Sequence, residues 1–127
     1  MENSNDTSLL PDSPSTMPIF NMATVKDLRN IRGCRRGLKL IIWGDDHSNP
    51  HVEARQGKNV LAKYHTYPNL TAPSDLDNYL NKEEKDVIET WLGKENNLQF
   101  ARKKWYDVHK TNPAANNPFD EKGNIIK

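Results

Sequence analysis

Three short runs in the middle of the chain carry the pattern of β-strands. Residues 37–43 are mostly apolar, and a glycine lies at or next to each end of this run. In residues 51–55 and 59–67, successive side chains alternate in character as they would on the two faces of a strand. Short polar turns separate the runs, and consecutive strands with short connections pair in antiparallel order. The pattern therefore predicts a three-stranded antiparallel meander.

The hydrophobic period changes to that of helices after residue 80. Asn81 followed by Glu84 has the spacing of a capping box, and Gly93 is a typical helix end. One helical stripe between them consists of Val87, Ile88, Trp91 and Leu92. A second amphipathic helix, to about Lys110, has its stripe at Leu98, Ala101, Trp105 and Val108. Two such helices cover one face of a sheet in an α+β fold.

A short helix is also predicted before the meander, over residues 24–31. Thr24 is a suitable N-cap, and Asp27 follows it by three residues. Three apolar residues recur at a spacing of three: Val25, Leu28 and Ile31. The complete expectation is an α+β fold with a three-stranded antiparallel meander, two C-terminal helices packed on one face and a short N-terminal helix.

Three segments are expected along the chain. Residues 1–18 are rich in Ser, Asn, Asp and Pro and lack Lys and Arg, which predicts a disordered acidic tail. Residues 19–110 would form a single α+β domain, and residues 111–127 a polar C-terminal extension. The extension either docks on the core through its apolar residues or stays loosely attached. These residues are Phe119, Ile125 and Ile126. In the loop at 68–80, the expected anchors are Leu70, Leu76 and Tyr79.

Composition excludes some classes of protein. The chain has 127 residues, 35% of them hydrophobic, and a formal net charge of +1. Its single cysteine, Cys34, cannot form an internal disulfide, so a disulfide-framed secreted scaffold is excluded. No apolar run approaches the roughly 18 residues of a membrane span, and no secretory signal is evident. We expect a cytoplasmic protein of bacterial type without a membrane partner.

The turn between the first two predicted strands concentrates chemically active side chains. Asp46, His47, His51 and Glu53 place two carboxylates and two imidazoles within a few residues. His51 and Glu53 are two positions apart in a strand and so share a face. If His47 folds back across the proline turn, these three residues form a metal triad for zinc or iron, with Asp46 orienting an imidazole.

A structural interpretation of this turn is favoured over the metal site. Asp and Asn side chains before strands commonly bond the local backbone. The segment is therefore interpreted first as a rigid turn or a partner contact.

The same segment resembles a family of small bacterial proteins, the domain of unknown function numbered 4160. The family's run of Asp/Glu-His-x-x-Pro-His matches residues 46–51, and the similarity extends over about residues 36–110. Glu53 stands where the family often has histidine, and Asn49 where it has a second proline. The resemblance implies the fold and a bacterial origin, and by analogy one component of a toxin–antitoxin-like pair.

A basic stretch leads into the first predicted strand, at residues 37–43. Six cations lie within fourteen residues, namely Lys26, Arg29, Arg32, Arg35, Arg36 and Lys39. On the predicted helix several would share one edge and bind phosphates or an acidic partner, with Trp43 and Tyr64 stacking on bases. The alternative is an ordinary solvated surface.

Three functions remain open at this point. The first is an interaction protein that binds a protein partner or nucleic acid through the basic stretch and the turn. The second is a metal-dependent hydrolase or nuclease, with the ion held by His47, His51 and Glu53. The third is a metal-free small ribonuclease toxin, with His47 and His51 as acid and base.

Overall fold

The computed structural model describes residues 22–44 and 49–126. Its four strands are Met22–Asp27 (β1), Leu38–Trp43 (β2), His51–Gln56 (β3) and Asn59–His65 (β4). They form one antiparallel sheet in the order β1-β2-β3-β4. Two helices follow, Lys82–Leu92 (α1) and Glu95–His109 (α2), after a single 3-10 turn at Asp75–Asp77. The α+β class is confirmed, while the disordered tail predicted at 1–18 lies outside the described residues.

The predicted N-terminal helix and the count of three strands are wrong. β1 occupies the place of that helix and pairs with β2, from Met22 opposite Trp43 to Asp27 opposite Lys39. The three-residue spacing has a different origin, because Val25 lies in β1 and Leu28 and Ile31 lie in turns after it. The Ile31 N–H donates to the Leu28 carbonyl at 3.0 Å, which is a turn rather than a helical bond.

The core lies on one face of the sheet, beneath both helices. Residues paired across antiparallel strands share a face, so Leu40, Ala54 and Ala62 all point to this side. The helices cover them with side chains from both stripes, namely Ile88, Leu92, Ala101 and Trp105. We call the opposite side the outer face; the register places on it Lys39, Ile41, Glu53, Arg55 and Lys63.

The start of α1 is fixed by a capping box and by a residue from the β1–β2 connection. The Glu84 N–H donates to Asn81 Oδ1 at 2.8 Å and the Asn81 N–H to Glu84 Oε1 at 2.9 Å, as predicted. Glu84 is 0% exposed. Its carboxylate also accepts bonds from Arg35, from Nη2 at 2.7 Å, from Nε at 2.8 Å and from the backbone N–H at 2.9 Å.

The C-terminal segment packs on the core through an aromatic residue. Phe119 is fully buried, Ile125 is half-buried and Ile126 is exposed. The Trp105 indole donates to the Asn116 carbonyl at 2.8 Å. Gly123 has a φ of +83°, and a Cβ there would collide with the Gln99 carbonyl of α2. Glycine is therefore required where this segment crosses α2.

Candidate partner-binding site

The described part of the predicted turn contributes a histidine and a carboxylate to the outer face. His51 Nε2 lies 3.5 Å from Glu53 Oε2. Both side chains are buried, at 3% and 7% residue exposure. Their common face confirms the two-residue spacing argument, whereas Asp46 and His47 lie outside the described residues.

Cations surround the Glu53 carboxylate. Arg55 Nε lies 3.6 Å from Glu53 Oε1, and Lys63 Nζ lies 4.0 Å from Oε2. The Lys63 side chain is 53% exposed, so its charge reaches solvent. A divalent ion at this carboxylate would meet two positive neighbours, which opposes its binding. Glu53 therefore serves better as the centre of an ionic cluster than as a metal ligand.

The described residues do not assemble a metal centre. Across 22–44 and 49–126, no three His, Cys, Asp or Glu residues come together in a geometry that could hold an ion. The predicted triad of His47, His51 and Glu53 also needs a residue outside those ranges. Zinc or iron at this turn stays a prediction.

The environment of His51 is unlike that of an accessible general acid or base. Its Nδ1 lies 2.9 Å from the Asn49 carbonyl, to which an N–H at this position donates. The ring centroid lies 5.6 Å from Trp105 and 6.1 Å from His65. A substrate would have to displace this packing to reach the imidazole. The ribonuclease hypothesis therefore gains no support from His51, and His47 is not described.

His65 is the more accessible imidazole of the outer face. Burial lowers its pKa below the usual value, and the nearby positive charges of His51 and Lys63 lower it further. The neutral form is therefore favoured.

The basic stretch does not form the predicted helical edge, because β1 and a series of turns replace the helix. Lys26 is opposite Leu40 on the core side, with its ammonium 6.0 Å from the Trp91 ring centroid, while Lys39 is on the outer face. Arg29 pairs with Asp27 at 3.2 Å. The six cations thus occupy different environments.

Arg35 is a structural residue of the basic stretch. Its guanidinium is held by Glu84 and also donates to the Tyr79 carbonyl at 3.1 Å. By contrast, Arg32 and Arg36 are exposed, and neither forms an ion pair within the described part of the chain. Their charges, together with that of Lys39, remain for a partner.

Charge is divided unevenly between two parts of the chain. Residues 22–67, which we call the sheet half, contain nine Lys or Arg and four Asp or Glu. Residues 68–126, which we call the helical half, contain eight Lys or Arg and ten Asp or Glu. The net charges are +5 and −2. Residues 1–21 add −3 and Lys127 adds +1, so the overall charge of +1 hides a strongly cationic half.

The two residues predicted to stack on bases are covered. Tyr64 is fully buried in the core, and its hydroxyl donates to Glu89 at 3.0 Å. Trp43 is half-buried, with the Arg55 guanidinium 5.0 Å from its ring centroid. Tyr64 therefore offers no stacking surface for nucleic acid, and Arg55 already occupies one face of the Trp43 ring.

A cleft beside β4 was missed by the sequence argument. It has a volume of about 570 Å³, and its walls come from β4 and from the following loop. Leu61, Lys63 and His65 line one side, and Pro73, Asp77 and Tyr79 the other. A proline-rich loop directly after a strand was the available signal.

The loop that borders this cleft exposes two of its predicted anchors. Leu76 is 88% exposed and Tyr79 is 67% exposed, whereas Leu70 is half-buried and Leu80 is buried. The expectation that Leu76 and Tyr79 anchor the loop is wrong. Apolar surface consequently lies open next to the cleft, as is common at binding sites.

No helix among the described residues is both long enough and apolar enough to cross a membrane. In comparisons with family models, curated proteins and solved structures, nothing matches this chain.

Proposed function

We propose that this chain is an interaction protein whose sheet half binds an acidic surface of a partner protein. The observation that carries the proposal is the division of charge, +5 in the sheet half against −2 in the helical half. A surplus of one sign on one region steers an oppositely charged partner and suppresses wrong ones. The resemblance to the family numbered 4160 and the role in a toxin–antitoxin-like pair remain proposals that agree with a binding role.

The exposed cations of the β1–β2 connection supply the contact. Arg32 and Arg36 of the connection are exposed, and the half-buried Lys39 follows them in β2, on the outer face. Arg35 is excluded from the contact because its guanidinium already serves Glu84. A binding surface of Arg32, Arg36 and Lys39 therefore keeps three of the six predicted cations.

A protein partner is favoured over nucleic acid by the state of the aromatic rings. Single strands are bound by basic grooves together with stacking platforms. Here Tyr64 is buried and Trp43 lies beneath Arg55. Acidic side chains of a partner protein can be bound by the accessible cations alone, without aromatic stacking. An acidic protein surface is therefore the better match for this site.

The proposal is tested by charge reversal in each half. The triple variant Arg32→Glu, Arg36→Glu, Lys39→Glu is compared with a charge-matched triple variant of exposed residues in the helical half, Lys82→Glu, Lys110→Glu, Lys122→Glu. Binding to fluorescein-labelled polyglutamate and to single-stranded polyuridine is followed by anisotropy at increasing salt.

We expect the first variant to lose about tenfold or more in affinity for polyglutamate and the second about twofold or less. Equal losses in the two variants, or no salt dependence, would contradict the proposal. Tighter binding of polyuridine than of polyglutamate at equal charge would assign the surface to nucleic acid instead. Thermal unfolding of each variant shows that the fold is retained.

A further inference from the structure

We infer that the free edge of β4 binds one extended segment of a partner protein, with an acidic residue between two apolar residues. This inference rests on the proposed function, because it specifies the acidic element that the partner presents. The cleft at the edge of β4 is not lined by Arg32, Arg36 or Lys39, so the two proposals can be tested separately.

The edge of β4 is closed at two points and open between them. The His65 N–H donates to the Thr71 carbonyl at 2.9 Å, and the Thr71 N–H returns a bond to the His65 carbonyl at 3.0 Å. Four residues earlier, the Leu61 carbonyl accepts from the Tyr79 N–H at 2.8 Å. The loop leaves the strand at the first point and returns at the second.

Lys63 lies midway between these closures. In an antiparallel strand, alternate residues direct their N–H and C=O groups to the same edge, so those of Lys63 point outward with those of Leu61 and His65. Within the described ranges, neither backbone group of Lys63 has a hydrogen-bond partner at that edge. One donor and one acceptor are thus presented together, as in strand addition to a sheet edge.

The cleft provides room for such a segment. Its volume of about 570 Å³ lies within the roughly 300–1,000 Å³ of ordinary ligand sites. The distance along the strand from Leu61 to His65 is about 13 Å, the length of a few extended residues. A segment of about three residues can therefore pair with Lys63, provided that the residues flanking it turn away from the strand before they reach Thr71 and Tyr79.

The side chains around the cleft favour a particular sequence. A residue that pairs directly with Lys63 shares its face, so a carboxylate there meets the exposed ammonium. The two neighbouring residues point to the core side of β4, where Ala62 lines the cleft, and with Pro73 and Tyr79 also in the lining apolar side chains are favoured. Asp77, which accepts a bond from Ser74 Oγ at 3.0 Å, disfavours a second acid.

An alternative role for Lys63 is protection. Charged residues on edge strands prevent sheets from pairing with one another. In that case the edge would bind no peptide, and replacing Lys63 would produce self-association. A second copy of the chain is thus the competing occupant that the experiment must separate from a partner segment.

The experiment uses the full chain labelled with ¹⁵N and three short capped peptides. The first is Ac-Ser-Val-Glu-Val-Ser-NH₂, the second has Lys in place of Glu, and the third carries an N-methyl group on the Glu amide. We expect the first peptide to shift the Lys63 amide resonance, and the other two to bind at least about tenfold more weakly. In the variant Lys63→Glu, the preference should invert toward the Lys peptide.

Several results would overturn the inference. They are an unshifted Lys63 amide, equal binding of the N-methylated peptide, an uninverted preference in Lys63→Glu, or Lys63 shifts that depend on protein concentration without peptide.

The two proposals fail in different ways. The triple variant Arg32→Glu, Arg36→Glu, Lys39→Glu should keep peptide binding within about threefold, because those residues do not line the cleft. If the peptide fails while polyglutamate binding still responds to charge reversal, only the cleft assignment falls. If both fail, the proposed function falls with it.

Discussion

The helical half pairs lysines with acids one helical turn away, whereas the sheet half has more than twice as many cations as acids. On α1 and α2, Lys82 pairs with Asp86 at 3.2 Å and Lys103 with Asp107 at 3.1 Å, each pair four residues apart. In the sheet half, exposed Arg32 and Arg36 have no such neighbours in the described residues. The two halves contain nearly equal numbers of cations. Those of the helical half stabilise it locally through ion pairs, whereas those of the sheet half leave a surface with an excess of positive charge.

An ion pair between the half-buried Arg35 and the fully buried Glu84 joins the two halves and departs from this division. Arg35 belongs to the cationic half, yet Glu84 of α1 neutralises it. The Arg35–Glu84 pair therefore holds the two halves together. Replacing Arg35 and protonating Glu84 are therefore the most direct tests of the contrast between the two halves.

The largest effect is expected from Arg35→Ala. Although Arg35 is itself 32% exposed, its removal leaves the fully buried Glu84 carboxylate without a cation, so the unfolding free energy should fall by about 3 kcal/mol, the low end for a buried pair. Arg32→Ala, which replaces an exposed arginine three residues before Arg35, should change the unfolding free energy by about 0.5 kcal/mol or less. Urea denaturation of both variants measures the difference. Similar unfolding midpoints for the two would show that Arg35 is only another surface cation.

Acid should weaken the same junction. Burial raises the pKa of Glu84, but hydrogen bonds from Arg35 and from backbone N–H groups prevail and lower it from 4.5 to about 2. A folded-state pKa below the unfolded value gives stability that is present above pH 4.5 and lost as the pH falls toward 2. The loss should reach roughly 2–3 kcal/mol.

The control for this prediction is Glu84→Gln, which cannot ionise. Its unfolding free energy should vary less between pH 5 and pH 2.5 than that of the parent chain. An equal slope in the two proteins would assign the acid sensitivity to other groups.

A smaller effect is expected from Tyr64→Phe. The Tyr64 hydroxyl joins β4 to α1 through Glu89, so its removal should cost about 1 kcal/mol. Tyr79→Phe, in the exposed loop, is the matched control and should be neutral. The comparison is made by thermal unfolding at pH 7, and a neutral Tyr64→Phe would show that packing alone joins these elements.

The smallest effect is expected from metal removal. Because Arg55 and Lys63 already neutralise Glu53, a chelator should leave the unfolding midpoint unchanged within error. Elemental analysis should find less than about one ion for every ten chains. Stoichiometric zinc or iron, with a lower midpoint after chelation, would restore the metal-dependent hydrolase or nuclease.

Locally encoded elements were predictable from the sequence. The strands β2, β3 and β4 follow from short apolar or alternating runs, and both helices follow from stripes and caps. Asn81 and Glu84 form the capping box that their spacing indicates. In each case the signal lies within a few residues of the element that it specifies.

Elements that depend on distant partners were not predictable in this way. β1 is a strand because it pairs with β2, and its apolar spacing imitates a helix only because turns place Leu28 and Ile31 at intervals of three. Arg35 reads as one more cation until Glu84, 49 positions later, is placed beside it. The cleft likewise exists only because Thr71 and Tyr79 meet β4.

The shared carboxylate of Glu84 has a consequence for local opening of the fold. One oxygen accepts the Asn81 N–H that begins α1, and the other accepts the Arg35 N–H of a connection far away in sequence. The first helical turn therefore cannot fray alone, since its release also removes the acceptor from that connection. We therefore expect exchange of both amide protons with solvent to proceed through one cooperative event.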